Sequence, residues 1–358
     1  MGLLYKPDWD EAQVRFKAWW AGELSGRCAM AVTAPRDDAP KEPPPTAPDD
    51  PVARWTDLDY LAELNDYRHR RAFYGGEAFP TWTGGYPGHT SIATFLGSPI
   101  TLDMRTGWHE PILNDAEWTI EDIRLDAEHR YYRFQLDLLR TAAEAAKGKS
   151  IPSIGAFGGS GDTLASIRGT MRLLTDVVDR PELVRRTELH LMDIWTEVYQ
   201  TFYDIISPAA GGSTCWFGLW SPGKFYASQC DFSYMISPGM FRELFVPAIE
   251  RQLEFLDHAV YHVDGIGAFC HVPALCELSR LQAVQILPGA GKPSPLHYMD
   301  VLKDVQARGK DLHITIPPGE VETALGELSS RGLFIATSCG SEAEARALLV
   351  DAEKWSRD

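Results

Sequence analysis

Val260-Tyr261-His262-Val263-Asp264-Gly265 joins a short apolar run, beginning at Ala259, to two polar side chains and a glycine. The run has strand length, is rich in β-branched and aromatic residues, and stops at a turn-forming Asp-Gly pair. Successive side chains of a strand alternate between faces, so His262 and Asp264 point the same way at its carboxyl end. Two groups able to hold a metal or move a proton then share one direction. On this stretch alone the plainer reading, a satisfied histidine and a turn aspartate, stays open beside it.

Working outward, the pattern on either side is one of alternation. Ser237-Pro238 opens an amphipathic helix as N-cap and first residue, and that helix runs to about residue 258. Downstream come a short helix at 273–279, strands at 281–287, 311–316 and 332–338, and helices at 295–307, from Pro318, and at 341–355. Upstream, strands are expected at 28–33, 77–82, 150–157 and 213–219, and helices at 9–23, 57–73, 126–147 and 171–206, with Pro181 restarting the last of these. Residues 100–125 give no clear period. The segment 220–235, with Trp220, Tyr226, Asp231 and Tyr234, reads as an aromatic-rich loop of the kind that suits a small-molecule site. Gly158-Gly159-Ser160-Gly161-Asp162-Thr163 lacks the Gly-Lys-Ser/Thr of a nucleotide phosphate loop and reads as a tight strand-to-helix turn.

About eight strand–helix units predict an α/β protein with a parallel sheet closed into a (β/α)8 TIM barrel. The expectation is a single domain over 1–358, with a helical extension at about 1–25 and a Pro-rich surface loop at 35–51. No GxGxxG fingerprint follows the first strand, which argues against dinucleotide binding.

The chain has 358 residues, 44% hydrophobic and 23% charged, as in ordinary globular enzymes. A formal charge of −16, from 34 basic and 50 acidic residues, opposes a nucleic-acid partner. No apolar run reaches the roughly 18 residues of a membrane span, and the first residues soon turn polar, so a cytoplasmic location is expected. Six scattered cysteines read as reduced thiols, mostly buried.

In such a barrel catalytic groups sit at the carboxyl ends of the strands. Closing it brings His262 and Asp264, after the fifth strand, to the same mouth as Cys339, after the eighth. Imidazole, carboxylate and thiolate are all ordinary zinc ligands, and three of them plus an open position is the catalytic pattern. The alternative is a His–Asp hydrogen bond and a buried thiol. Trp216, Trp220, Tyr226 and Tyr234 are candidates to shape a substrate pocket, and residues of these types also serve as core.

Three blocks resemble the uroporphyrinogen decarboxylase superfamily. They are Gly161-Asp162-Thr163-Leu164-Ala165-Ser166-Ile167-Arg168-Gly169 with Asp179-Arg180-Pro181-Glu182-Leu183-Val184, the run from Met235 to Pro247, and the end from His262 through Cys339-Gly340. The resemblance covers much of the chain from about residue 155 and implies a (β/α)8 barrel with its site at the strand ends. That superfamily holds both cofactor-free porphyrinogen decarboxylases and zinc-dependent methyltransferases that work with corrinoid proteins. Against the decarboxylase pattern, Ile167 stands where a tyrosine is typical, no Arg-Gln-Ala-Gly-Arg type segment occurs near the N-terminus, and no Asp follows Phe79. The methyltransferase branch carries His-x-Cys and a later Cys; here His262-x-Asp264 and Cys339-Gly340 match those places, with Asp in place of the first Cys. What the resemblance implies is zinc on His262, Asp264 and Cys339, a thiol or other small acceptor, and a corrinoid on a partner protein as methyl donor. A lyase acting on a small carboxylated substrate, with His262 or Asp264 as acid–base group, and a non-catalytic small-molecule-binding barrel are the rival expectations.

Overall fold

Runs such as Ala-Val-Gln-Ile-Leu and Leu-Phe-Ile-Ala-Thr-Ser are apolar on both faces, the signature of parallel strands covered by helices on one side and packed interior on the other. In the computed structural model, which describes residues 2–114 and 118–357, these runs are strands of one sheet. The strands in chain order are β1 (Ala29–Pro35), β2 (Ala72–Gly76), β3 (Thr81–Trp82), β4 (Ile100–Leu102), β5 (Gly107–His109), β6 (Ile151–Pro152), β7 (Ser213–Thr214), β8 (Trp220–Ser221), β9 (Phe225–Gln229), β10 (His258–Asp264), β11 (Ala283–Leu287), β12 (Asp311–Thr315) and β13 (Leu333–Ser338). Among the described residues the main sheet has seven strands in the order β2-β1-β13-β12-β11-β10-β9, all parallel except the β2–β1 pair. Smaller pairs are β3–β6, parallel, and β4–β5 and β7–β8, antiparallel.

Backbone hydrogen bonds carry the wall on beyond β1. Glu77 N donates to Met30 O at 2.9 Å, Ile151 N to Pro80 O at 2.9 Å, Ser153 N to Trp82 O at 3.1 Å, and Ile154 N to Thr214 O at 3.0 Å. Phe225 N then donates to Ser213 Oγ at 2.9 Å, next to the start of β9.

Helices alternate with the strands. The longest, Pro181–Ala210, starts with proline in its first turn and ends at Gly211, whose φ of 61° supplies the left-handed cap. Ser237 and Ser341 cap their helices by accepting from Met240 N and Glu344 N. The N-terminal helix Trp9–Trp20 closes the amino ends of the strands. Its Phe16 stacks on Phe334 at 6.1 Å, and its Trp20 meets Phe225, the first residue of β9, at 5.4 Å and His258, the first of β10, at 4.7 Å. The opposite ends of the strands are therefore left for a site. Among the described residues no helix is long and apolar enough to cross a membrane.

The sequence reading and the structure differ in several places, among them the strands expected at 77–82 and 150–157, which shorten to Thr81–Trp82 and Ile151–Pro152. The expected strand at 213–219 is only Ser213–Thr214, which turns back onto β8, whereas β9 lies inside the segment expected to be loop and pairs with β10. Ser228 and Gln229 break its apolar run, and the strand is held by a side chain: Tyr199 Oη accepts from Phe225 N at 2.8 Å and donates to Phe225 O at 2.9 Å. The helix expected at 57–73 ends at Arg70, and Ala72–Gly76 instead forms the antiparallel edge strand.

Candidate functional site

The register of the main sheet places one polar side chain per strand side by side. His262 lies opposite Gln229 on β9 and Gln285 on β11, and Gln285 lies opposite His313 on β12. Equal register in parallel strands means the same face, so these four residues form a lateral row on the inner side of the sheet. The row is hydrogen-bonded through Gln285. Its Oε1 accepts from His262 Nδ1, and its Nε2 donates to His313 Nδ1 at 3.1 Å. Because an amide oxygen only accepts, Nδ1 carries a hydrogen, and in the neutral ring the lone pair is then on Nε2. That nitrogen lies 3.9 Å from Asp264 Oδ2 at the strand end. His313 is pushed down to about 3, by burial first and then by the neighbouring His262, and is neutral.

At the β9 end of the row, Gln229 Nε2 donates to Asp162 Oδ2 at 3.0 Å, and Phe232 N donates to Asp162 Oδ1 at 3.0 Å. Burial raises the Asp162 carboxyl to about 7, and the charge of Asp231 adds to the shift. Asp231 is also raised, by burial, against a lowering pull from His262 and with a further push from Asp264. A small cavity of about 70 Å³ runs between Asp162, Gln229, Tyr86, His109 and Tyr226. A larger one, about 580 Å³, opens over the carboxyl ends of β1, β12 and β13, with His313 and Phe217 in its wall. A groove of about 680 Å³ between the N-terminal segment, β2 and the C-terminal helix holds none of these residues, and its arginines Arg36 and Arg346 are paired with Asp38 and Glu342.

Of the residues singled out in the sequence, His262 and Asp264 are adjacent as expected. Cys339 is a buried residue just past β13, its N donating to Thr33 O at 2.8 Å. Burial raises its thiol, and Glu344 adds to the effect. Among the described residues no three His, Cys, Asp or Glu side chains come together as a group that could hold a metal ion. As the side chains stand, β10 offers two donors, and the three-ligand zinc set is not assembled.

Trp216 stands edge-on to the His262 ring at 5.1 Å, and Tyr234 covers Gly265, whose positive φ of 85° and lack of Cβ let the ring sit there. Trp220 packs against Trp9 and donates Nε1–H to Ala210 O, away from the strand ends. Tyr226 is buried, with Oη accepting from Phe157 N at 3.0 Å and facing the small cavity. The glycine-rich turn at 158–163 binds its own protein: Gly161 N and Ser160 Oγ both donate to Glu188 Oε2. Gln285, His313 and Gln229 are not singled out by the sequence; of the three, Gln285 alone interrupts an otherwise apolar strand run, and that signal gains meaning only once register sets it beside His262.

No family model matches the chain, and no curated protein matches it. Among solved structures, it is similar to a methyltransferase from Methanosarcina mazei at 12% identity and a TM-score of 0.62, over 96% of this chain and 98% of that one. At this identity the likeness is one of fold.

Proposed function

We propose that the protein is a methyltransferase that methylates or demethylates a small molecule at the strand-end mouth of a closed (β/α)8 barrel. The observation that carries the reading is His262, tied through Nδ1 to Gln285 so that Nε2 offers its lone pair at the mouth beside Asp264. The sequence resemblance to corrinoid-linked methyltransferases and the name of the solved neighbour support it. Barrel closure is supported by the hydrogen bonds that link Met30, Glu77, Pro80, Ile151 and Thr214 around the N-terminal arc.

The step asked of this chain is a proton transfer. His262 Nε2 takes the proton of a thiol or hydroxyl acceptor, the freed lone pair attacks the methyl carbon, and the donor leaves with the electrons of the broken bond. The donor proposed is a methyl-corrinoid on a separate protein. In a zinc-assisted version His262, Asp264 and Cys339 are the ligands. The donor types suit zinc, but that version requires Cys339 to move in from β13.

The test is methyl transfer from methylcobalamin to a small thiol, with zinc measured by atomic emission, in wild type, His262→Ala and Cys339→Ser. One zinc per chain that is lost with activity in Cys339→Ser supports the zinc version. Activity that needs His262 but survives Cys339→Ser supports the base. Absence of methyl transfer under both conditions removes the reading. A second reading, acid–base lyase chemistry on a carboxylated substrate, is favoured by one observation: Asp162, raised to about 7, can hold or release a proton near neutrality, and Gln229 alone stands between it and His262 along the row.

A further inference from the structure

The inner face of the wall is unevenly filled. From β9 to β13 the row at mid-height is Gln229, His262, Gln285, His313 and Phe334, all sizeable, whereas two residues nearer the carboxyl ends the same face of β13 and β1 carries Ala336 and Ala31, opposite one another in register. Barrel interiors are ordinarily filled by bulky branched side chains, and leaving an apolar hole costs stability in proportion to its volume. Two alanines on neighbouring strands therefore create the space of about 580 Å³ above them, which falls in the range of small-molecule sites.

The lining sets the chemistry of what fits. Phe334 forms part of it, with His313 stacked on that ring at 5.1 Å and 12°, and Phe217 packs on His313 at 4.7 Å. Phe79, Ile316 and Pro317 add apolar wall. Among the described residues no Asp, Glu, Lys or Arg lines the space, so an ion entering it would lose hydration without gaining a counter-charge from them. The polar side chains are His313 and four hydroxyls, those of Thr33, Thr315, Thr337 and Ser338, toward the strand ends. Thr33 Oγ1 and Ser338 Oγ lie 2.7 Å apart, and a hydroxyl pair sharing one hydrogen bond keeps a free donor and free lone pairs. His313 lines the same space, and its Nε2 must carry a hydrogen because Nδ1 accepts from Gln285.

We propose that this cavity binds an uncharged aromatic alcohol or its methyl ether, ring against Phe334, Phe217 and Phe79, oxygen toward Thr33 and Ser338. The assignment deepens the methyl-transfer reading by naming the substrate class, and it rests on that reading only for what happens next. The oxygen end then lies at the strand that leads into Cys339.

The test measures binding without any methyl donor, by calorimetry, with 2-methoxyphenol and phenol as probes and benzoate and benzylammonium as charged counterparts of similar size. Expected is saturable binding of the neutral probes and at least about tenfold weaker binding of both ions, the size of a lost hydration shell only partly replaced. Ala336→Leu, which fills the space, should lose the neutral probes by tenfold or more without lowering the unfolding midpoint. Phe217→Ala, on a loop outside the sheet, should weaken them as well and decides the matter if the leucine variant does not fold. Benzoate or benzylammonium binding as well as phenol, no binding of either neutral probe, or unchanged binding in Phe217→Ala overturns the proposal. Neutral probes that bind as expected but are never demethylated leave the cavity assignment standing and count against methyl transfer alone.

Discussion

The arc from β9 to β13 and the arc from β1 to β7 are held by different means. In the first, five parallel strands of five to seven residues pair in continuous ladders, buried on both faces. In the second, β3, β6 and β7 are two residues each, and side chains finish what the ladders do not. The Glu77 carboxylate, fully buried, accepts from Arg15 on the N-terminal helix, from Arg27 Nη2 at 2.8 Å and from Met30 N in β1. Lys6 Nζ, equally buried, donates to Tyr74 O and Gly76 O at 2.9 Å and so satisfies the free edge of β2. One arc is stabilised by apolar burial and backbone pairing, the other by a polar network that ties distant parts of the chain.

The largest effect that tests this contrast is expected from Glu77→Ala. It leaves two arginines, each about one-fifth exposed, without their shared partner, and removing one member of a buried ion pair costs about 3 to 5 kcal/mol. Denaturant unfolding should register that loss. A variant within about 1 kcal/mol of wild type would mean that the N-terminal arc is held by its apolar contacts after all.

This difference also explains what was legible in the sequence. The strands β10 to β13 were found nearly to the residue because a run buried on both faces is apolar throughout, and His262 and Asp264 were found because they interrupt such a run near its end. Local periodicity carries no trace of a partner 47 or 62 positions away, as Glu77 has in Met30 and Arg15, so the strands expected at 77–82 and 150–157 come out too long and the expected helix at 57–73 overruns the first two residues of the edge strand β2. β9 fails for a related reason, since its first residue is held by Tyr199 from the helix Pro181–Ala210. In the site, the β10 pair was legible but Gln285 and His313 were not. A lone glutamine in a strand gains meaning only when register sets it beside a histidine.

The next effect in size falls within the well-read arc and separates its structure from its chemistry. Gln285→Leu keeps the apolar ladder but frees His262 Nδ1, so the ring can take the other tautomer or turn. Loss of such an orienting partner typically lowers activity about 10- to 100-fold. Gln285→Glu, which still accepts from Nδ1–H, should recover most of the loss. Side-chain ¹⁵N shifts of His262 check the tautomer without any activity assay. Unchanged shifts in the leucine variant would mean that Gln285 is there only to fill space.

The smallest effect concerns Asp162, at the seam where the β6 side meets β9. Burial lifts its carboxyl from 3.8 to about 7, so between about pH 4 and pH 7 the folded protein holds a proton that the unfolded chain has released. The state that binds more protons gains as pH falls, so this group makes stability decline as pH rises through that window and level off above it. Glu188 and Asp311, each raised to about 7 by burial, act in the same direction. Asp162→Asn keeps an oxygen for Gln229 or Phe232 N and cannot ionise, so the variant and wild type should unfold alike near pH 4.5. By pH 8 the variant should be the more stable, and its midpoint should fall less steeply between the two values. Parallel slopes across the window would place the Asp162 proton elsewhere, and with it would go the acid–base alternative for the site, because that reading needs a carboxyl able to keep its proton near neutral pH.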